Sequence, residues 1–331
     1  MPPPTYLVTG ASGLIGRHLV RRLIRTGSPI RGLVRPTSTL PPEIRGGVAW
    51  FRGDLQDRRA VQQAVAGVAA IVHCGALVSD WGPRSQFYRT NVQGTRYVVE
   101  AAVRAAVPRL VYLSSAAVYG YPRRGQPIDE AHPQRARRIP YIASKIAAEE
   151  VVWQAHRRQG LPVVVLRPVM VFGPGCQNYV GQVVGHLENR TLPLLDGGRH
   201  VAGLAYVENV VDAILLALHR PDAVGQALNI WDDSDVTWKQ YLEGLADRLD
   251  LPRPARSIPT RLALAAAGPV ESVARLLRFR HRPWITRLAV LELGQPQRYD
   301  ITRARRWLGY APRVDFEQAL HRTVAWVKES R

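Results

Sequence analysis

Lysine is almost missing from this chain. Among its 45 basic residues, only Lys145, Lys239 and Lys328 are lysines; the rest are arginine. Set against 26 acidic residues, they give a formal charge of +19. A charge of that size suits nucleic acid, an anionic membrane surface or an anionic ligand. The arginines are scattered over the whole sequence rather than gathered in one cassette. That reads as an arginine-biased, solvated surface, and no nucleic-acid partner is expected. Cysteine is scarce as well, with only Cys74 and Cys176. Two cysteines make no disulfide framework and fit a reducing, cytoplasmic setting. They stand far apart with no clustered histidines, so no metal site is expected. No run of 18 apolar residues occurs, which argues against a spanning helix. The opening Met1-Pro2-Pro3-Pro4 leads directly into an apolar stretch and has no secretory pattern. A hydrophobic share of 46% over 331 residues leaves ample core for one large domain or two closely joined ones.

Glycine is well supplied, and three glycines near the start organise the reading. Tyr6-Leu7-Val8 is an apolar run, followed by Thr9-Gly10-Ala11-Ser12-Gly13-Leu14-Ile15-Gly16. Leu19, Val20, Leu23 and Ile24 then recur at helical spacing. The pattern is strand, tight turn, helix. A pyrophosphate placed on the bare N–H groups of a helix N-terminus needs close backbone approach, which only glycine leaves room for. Gly10, Ser12, Gly13, Leu14, Ile15 and Gly16 are therefore the expected phosphate cradle. At this point the chain resembles the short-chain dehydrogenase/reductase superfamily. Its length implies the extended branch, which includes sugar-nucleotide epimerases, dehydratases and 3β-hydroxysteroid dehydrogenase-like enzymes.

The rest of the chain supports an α/β fold. Strands are expected over residues 5–9, 30–35, 49–53, 70–73, 110–114, 163–167 and 226–230, with helical patterns between, including 84–106 and 141–159. That alternation implies a Rossmann-type, doubly wound parallel sheet with ligands at the carboxyl ends of its strands. Residues 1–168 plus about 203–231 are read as the dinucleotide-binding domain. Residues 169–202 plus 232–331 are read as a smaller, mainly C-terminal substrate lobe. A helix is expected over 204–218, another over 237–249 with Thr237 as its N-cap, and a last one over 315–329.

Tyr141-Ile142-Ala143-Ser144-Lys145 supplies acid–base chemistry. Positions four apart share a helix face. A neighbouring ammonium favours a phenolate and lowers a phenol pKa from its usual value of about 10. Such a tyrosine can exchange a proton near neutral pH. Leu113-Ser114-Ser115-Ala116-Ala117-Val118-Tyr119-Gly120 looks like the strand-end segment that carries a catalytic Ser or Thr in extended family members. The matching residue is Ser115, whose hydroxyl would hold the reacting oxygen; Ser114 is read as structural. In the 4,6-dehydratases an Asp-Glu pair follows that position. Here Ala116 and Ala117 stand there, so elimination chemistry lacks its acid and base.

Further resemblances concern the cofactor. Gly53-Asp54-Leu55 is similar to the segment whose acid meets the adenine. His73-Cys74-Gly75-Ala76 resembles the small-residue strand end beneath the cofactor, with His73 read as packing. Asn91 matches a helix residue that braces the site. Arg167-Pro168 and Gly173-Pro174-Gly175 match segments near the nicotinamide. Where an acid would mark NAD at the end of the second strand, this chain has Val34 and then Arg35. Arginine there suits the 2′-phosphate, so NADP(H) is favoured, with NAD(H) as the alternative.

Residues 76–91 look more like the 3β-hydroxysteroid dehydrogenase-like branch than the epimerases. The resemblance implies an oxidoreductase interconverting a 3-hydroxy and a 3-oxo group on a bulky apolar body, steroid-like or 2-alkyl-3-oxoalkanoate-like. The alternative is an NAD-dependent sugar-nucleotide epimerase using the same Ser115, Tyr141 and Lys145. A non-catalytic dinucleotide sensor is disfavoured by that intact set. The stretch 262–284 is apolar and basic by turns. It reads either as a helix packed on the substrate lobe or as a peripheral membrane contact with Arg275, Arg278 and Arg280 outward. By analogy, a homodimer through residues 84–106 and 141–159 is expected.

Overall fold

A computed structural model describes residues 3–122, 126–277, 279 and 281–331. The strands, in chain order, are β1 (Tyr6–Thr9), β2 (Ile30–Val34), β3 (Val48–Arg52), β4 (Ala70–His73), β5 (Leu110–Leu113), β6 (Val163–Pro168), β7 (Met170–Phe172), β8 (Leu194–Leu195), β9 (Leu204–Tyr206), β10 (Ala227–Ile230) and β11 (Ser257–Ile258). Seven of them form one parallel sheet in the order β10-β6-β5-β4-β1-β2-β3. Strand order reverses between β1 and β4, and a crevice opens there at the strand ends. This is the doubly wound, Rossmann-type sheet expected from the alternation.

Both faces of the sheet are buried, and the side-chain period of two divides its residues between them. Tyr6, Val8, Val72, Val111 and Val164 face a layer formed by helices Leu14–Arg25 and Val207–His219. Leu7, Ile71, Leu110 and Val163 face helices Arg58–Val65, Gly94–Arg104 and Pro140–Gln159. Near-continuous apolar runs such as Val163-Val164-Val165-Leu166 are what a two-sided burial requires.

Two short parallel pairs, β7 with β9 and β8 with β11, lie outside the main sheet. A separate apolar cluster joins Phe172, Val184, Trp238, Tyr241, Leu245 and Leu320. Helix Trp238–Arg248 starts at Thr237, which forms a capping box with Gln240. The last helix, Phe316–Glu329, is capped by Asp315.

Two expectations need correction. Residues 204–206 are strand rather than helix, because Met170-Val171-Phe172 offers Leu204-Ala205-Tyr206 a parallel partner, and helix begins only at Val207. The pattern over 84–106 is also not one α-helix: Arg84–Phe87 passes into a π-helical stretch, Tyr88–Gln93, before Gly94–Arg104.

One charged residue sits inside the apolar strand β6. Arg167 is buried and pairs with buried Glu149 from helix Pro140–Gln159, Nη2 to Oε1 at 2.5 Å. Arg167 Nη1 also donates to the Tyr119 hydroxyl at 2.9 Å, and that hydroxyl donates to Asn229 Oδ1 at 2.7 Å. The network ties β6, β10 and the turn after β5 into one unit. Arg167 is thus a brace beneath the site.

Candidate active site

The crevice is shaped by backbone contact. Gly10 has φ +64°, and a Cβ there would lie 2.7 Å from the Gly75 Cα. A Cβ on Gly16 would lie 2.2 Å from the Gly10 carbonyl oxygen. Gly75 in turn faces Leu55 Cδ1, 2.8 Å from its would-be Cβ. The first helix therefore presses onto the strand ends of β1 and β4. Its N-terminus is open to a ligand: Gly13 is the N-cap, no side chain caps it, and no acid lies in its first turn. Free N–H groups and an uncompensated helix dipole suit a pyrophosphate. The residues present therefore fit a dinucleotide.

Below the crevice, Thr9, His73 and Thr95 form a buried chain. Thr9 Oγ1 lies 2.6 Å from His73 Nδ1, and His73 Nε2 lies 2.9 Å from Thr95 Oγ1. The Gly75 N–H donates to Thr9 Oγ1 at 3.2 Å. Burial pushes the His73 pKa down to about 3, so the ring is neutral and serves to join three segments. Cys74 beside it is equally inert, its thiol pushed up to about 12 by burial.

Asn91, in the π-helical stretch, locks the segment after β4 to the helix of Tyr141. Its Oδ1 accepts from the Leu77 N–H at 2.7 Å, and its Nδ2 donates to the Leu77 carbonyl at 3.0 Å and to Ser144 Oγ at 2.9 Å. Ser144 Oγ donates to the Tyr141 carbonyl at 2.7 Å. The extra residue of a π turn re-aims a side chain, and here Asn91 is that side chain.

Tyr141, Lys145 and Glu149 follow one another down one helix face. The Lys145 ammonium donates to the Leu113 carbonyl at 2.6 Å and lies 4.8 Å from the Tyr112 ring centroid. Burial drops its pKa to about 8, with the Glu149 charge opposing the drop. Ser115, two residues beyond β5, is the N-cap of the short turn Ala116–Tyr119, its Oγ accepting from the Ala117 N–H at 3.1 Å. Ser114, as expected, is a brace: its hydroxyl donates to Glu149 Oε2 at 2.5 Å. The Tyr141 phenol is governed by burial, which pushes it up to about 12; the Ser115 hydroxyl pulls it down and the Glu292 charge pushes it up. The local ammonium effect read from the Tyr-x-x-x-Lys spacing is not what dominates, because Lys145 is drawn to the Leu113 carbonyl. A phenol held protonated at neutral pH is poised to give a proton.

Around the phenol lie Phe87, Ala117, Tyr121, Ile142, Leu288 and Leu291, a predominantly apolar wall. At the adenosine end, Arg35 is exposed just beyond β2, and Arg52 from β3 donates to the Pro36 carbonyl at 3.0 Å. Ser12 Oγ and Ser38 Oγ lie 3.3 Å apart. Asp54 accepts from the Gln56 N–H at 2.9 Å. Pro168 closes β6 in register with Ile230. Among the described residues no group of His, Cys, Asp and Glu could hold a metal ion.

Sequence reasoning missed Glu149, Glu292 and Arg52. Glu149 had a signal: a lone arginine in Val163–Pro168 calls for a buried carboxylate, and Glu149 continues the face of Tyr141 and Lys145 at four-residue spacing. Glu292 had none, since it reaches the site from a helix some 150 positions away in the chain.

Comparison with known proteins agrees with this geometry. The family model described as the NAD dependent epimerase/dehydratase family matches residues 6–230. The chain is 33% identical to the 4-hydroxy-2-methyl-3-oxo-4-farnesyl-3,4-dihydroquinoline-1-oxide ketoreductase of Stigmatella aurantiaca, over 95% of this chain and 93% of that protein. It is also 33% identical to the 2-alkyl-3-oxoalkanoate reductase of Stenotrophomonas maltophilia, over 96% and 98% respectively. Among solved structures, MoeE5 in complex with UDP-glucuronic acid and NAD superposes with a TM-score of 0.80 at 24% identity, covering 99% of this chain and 100% of that one, a likeness of fold.

Gly16→Ala is expected to raise the Kd for NAD(P)H by at least about tenfold, because the methyl group meets backbone that cannot yield. Tryptophan-fluorescence titration with circular dichroism as a folding control checks this; wild-type affinity in a folded variant would remove the cradle from the glycine turn.

Proposed function

This chain belongs to the NAD-dependent epimerase/dehydratase family and is a nicotinamide-dependent oxidoreductase; we propose that it interconverts a 3-oxo and a 3-hydroxy group on a bulky apolar substrate, with NADP(H) as cofactor. The observation that carries the reading is the Tyr141 phenol beside Ser115, set in an apolar wall. Relatives sharing a third of the sequence over nearly its full length are named as ketone reductases, which supports the same reaction class.

A bound nicotinamide supplies or receives the hydride. The chain does the rest. Ser115 Oγ holds the carbonyl oxygen as charge develops on it. Tyr141, whose phenol is protonated at neutral pH, gives that oxygen its proton. Lys145, one helical turn on, offers a positive charge to the phenolate left behind. Glu149 and Arg167, paired beneath it, hold the helix that carries both. The apolar wall excludes water and strengthens each of these interactions.

The NADP(H) preference rests on Arg35 and Arg52 flanking the loop that carries Ser38, with Val34 where an acid would mark NAD. Gly10, Ser12, Gly13, Leu14, Ile15 and Gly16 would hold the pyrophosphate, Asp54 and Leu55 the adenine, and Cys74, Gly75, Ala76, Asn91, Lys145 and Pro168 the nicotinamide half.

The surface suggests where such a substrate is met. Among the described residues, all but one of the exposed large apolar side chains lie within residues 262–284, with Leu276 at 81% and Trp284 at 75% exposure; the other is Val78. Helix Thr260–Leu276 also sends Leu264 inward to the wall around Tyr141. Arg275 lies over the Trp81 ring at 5.3 Å. Arg278 and Arg280 lie outside the described residues. An apolar patch next to basic groups suits an anionic bilayer surface. No described helix is long and apolar enough to cross a membrane. Helices Gly94–Arg104 and Pro140–Gln159 lie side by side on one sheet face, and a homodimer would form through them.

Three results follow. Tyr141→Phe should lower kcat for ketone reduction by about 10²–10⁴-fold with NADPH binding unchanged; full activity would refute the proton donor. Arg35→Asp should raise KM for NADPH by about tenfold and leave that for NADH nearly constant; an unchanged ratio would move the 2′-phosphate elsewhere. Sedimentation should show a dimer in buffer that follows vesicles of anionic, and not neutral, phospholipid. A monomer, or no preference for the anionic vesicles, would oppose these two assignments.

A further inference from the structure

The polar group that faces Tyr141 across the apolar wall has no part in the reaction described. Glu292 lies on helix Arg287–Gly294, whose Leu288 and Leu291 pack in the same cluster as Tyr141, Tyr121, Ile142 and Phe87. The Tyr121 hydroxyl donates to Glu292 Oε1 at 3.2 Å. Glu292 Oε2 has no hydrogen bond among the described residues. The Tyr179 hydroxyl, buried nearby, has no partner either. The Glu292 charge bears on the phenols of Tyr121, Tyr141, Tyr179 and Tyr299, which come from four separate segments.

We propose that Glu292, with Tyr121 and Tyr179 around it, selects the substrate: the pocket takes a neutral ketone carrying a hydrogen-bond donor beyond the reacting carbonyl and turns away a free carboxylate. The proposal rests on the reductase reading, adds the chemistry of the substrate's second polar group, and sets this chain apart from the 2-alkyl-3-oxoalkanoate reductase it resembles, whose named substrate carries a carboxylate. Oε2 of the half-buried Glu292 is an acceptor with no protein donor, and the Tyr179 hydroxyl, buried and unpartnered, can both give and accept. A buried polar group left unpaired discriminates strongly against ligands that cannot satisfy it. A substrate carboxylate would bring like charge to the same spot.

The charged neighbours leave that repulsion in place. Arg282 favours the carboxylate but is bound to Asp80, Nε to Oδ2 at 2.5 Å, and Thr286 donates to the same oxygen at 2.8 Å. Asp80 itself opposes ionisation, and Tyr121 favours it. Burial is the largest influence and carries Glu292 up to about 7. Rejection of carboxylates should therefore be full above neutrality and fade below it.

The test uses the full chain saturated with NADPH and two stable probes, a 2-alkyl-3-hydroxyalkanoate and its primary amide, titrated calorimetrically. The acid probe stays ionised at both pH 6 and pH 8, since even the lower value is roughly two units above an ordinary carboxyl pKa. Wild type should bind the amide about tenfold tighter than the acid at pH 8, with the gap closing at pH 6. Glu292→Gln should bind both within about threefold at either pH. Tyr121→Phe removes a hydrogen bond that favours the carboxylate, so the pH at which acid is accepted should move upward, a readout that a merely structural role would not produce. An equal preference in wild type and Glu292→Gln at pH 8, or no binding of either probe, would overturn the proposal. Turnover of the matching 3-oxo amide is followed in parallel. Its absence counts against the reductase reading, while the binding ratio still decides the role of Glu292.

Discussion

The whole arrangement depends on how closely the chain approaches itself at the carboxyl ends of β1 and β4. Gly10 lies against Gly75, and Gly16 against the Gly10 carbonyl, at separations that leave no room for a single methyl group. Those contacts set the first helix with its uncapped N-terminus over the crevice where strand order reverses. They also fix the position of β4, whose His73 ties Thr9 to Thr95. From there Asn91 reaches Ser144, and Ser144 the Tyr141 carbonyl. Side-chain hydrogen bonds, joined by the backbone between Asn91 and Thr95, thus link the glycine turn to the helix of Tyr141.

That helix carries the second constraint, a column of ionisable groups inside the protein. Lys145 is buried, and burial costs a cation several kcal/mol unless it is matched. Its matching is spread over three partners: the Leu113 carbonyl, the Tyr112 ring and the Glu149 charge a turn further on. Glu149 is in turn held by Arg167, Ser114 and Gln134. The result is an ammonium with a pKa near 8 beneath a phenol near 12. Both groups are protonated at neutral pH, which is the state needed to hand a proton to a developing alkoxide and to steady the phenolate that remains.

Much of this was legible in the sequence because its causes are local. Three glycines after an apolar run demand a tight strand-to-helix turn. Alternating apolar runs and helical patterns demand a parallel sheet. Tyr141 and Lys145 four apart demand a shared helix face. What was not legible depends on contacts distant in sequence. Leu204-Ala205-Tyr206 reads as the start of a helix until β7 lies beside it. The Tyr88–Gln93 π-helical stretch has no composition of its own, and only the need to aim Asn91 reveals it. The spacing of Tyr141 and Lys145 was readable, but the carbonyl that draws the ammonium aside was not. Glu292 meets Tyr121 only because helix Arg287–Gly294 packs against the residues around Tyr141.

The most direct test of a nicotinamide-linked ketone reductase is a single-turnover experiment. The purified chain is saturated with NADPH and mixed with bulky neutral ketones, while the loss of reduced-nicotinamide absorbance and the appearance of the alcohol are followed together. Equal amounts of cofactor oxidised and alcohol formed are the expected result. Protein that arrives with NAD already bound, oxidises no reduced cofactor with any ketone and interconverts a sugar nucleotide without net redox change would contradict the account and point to an epimerase.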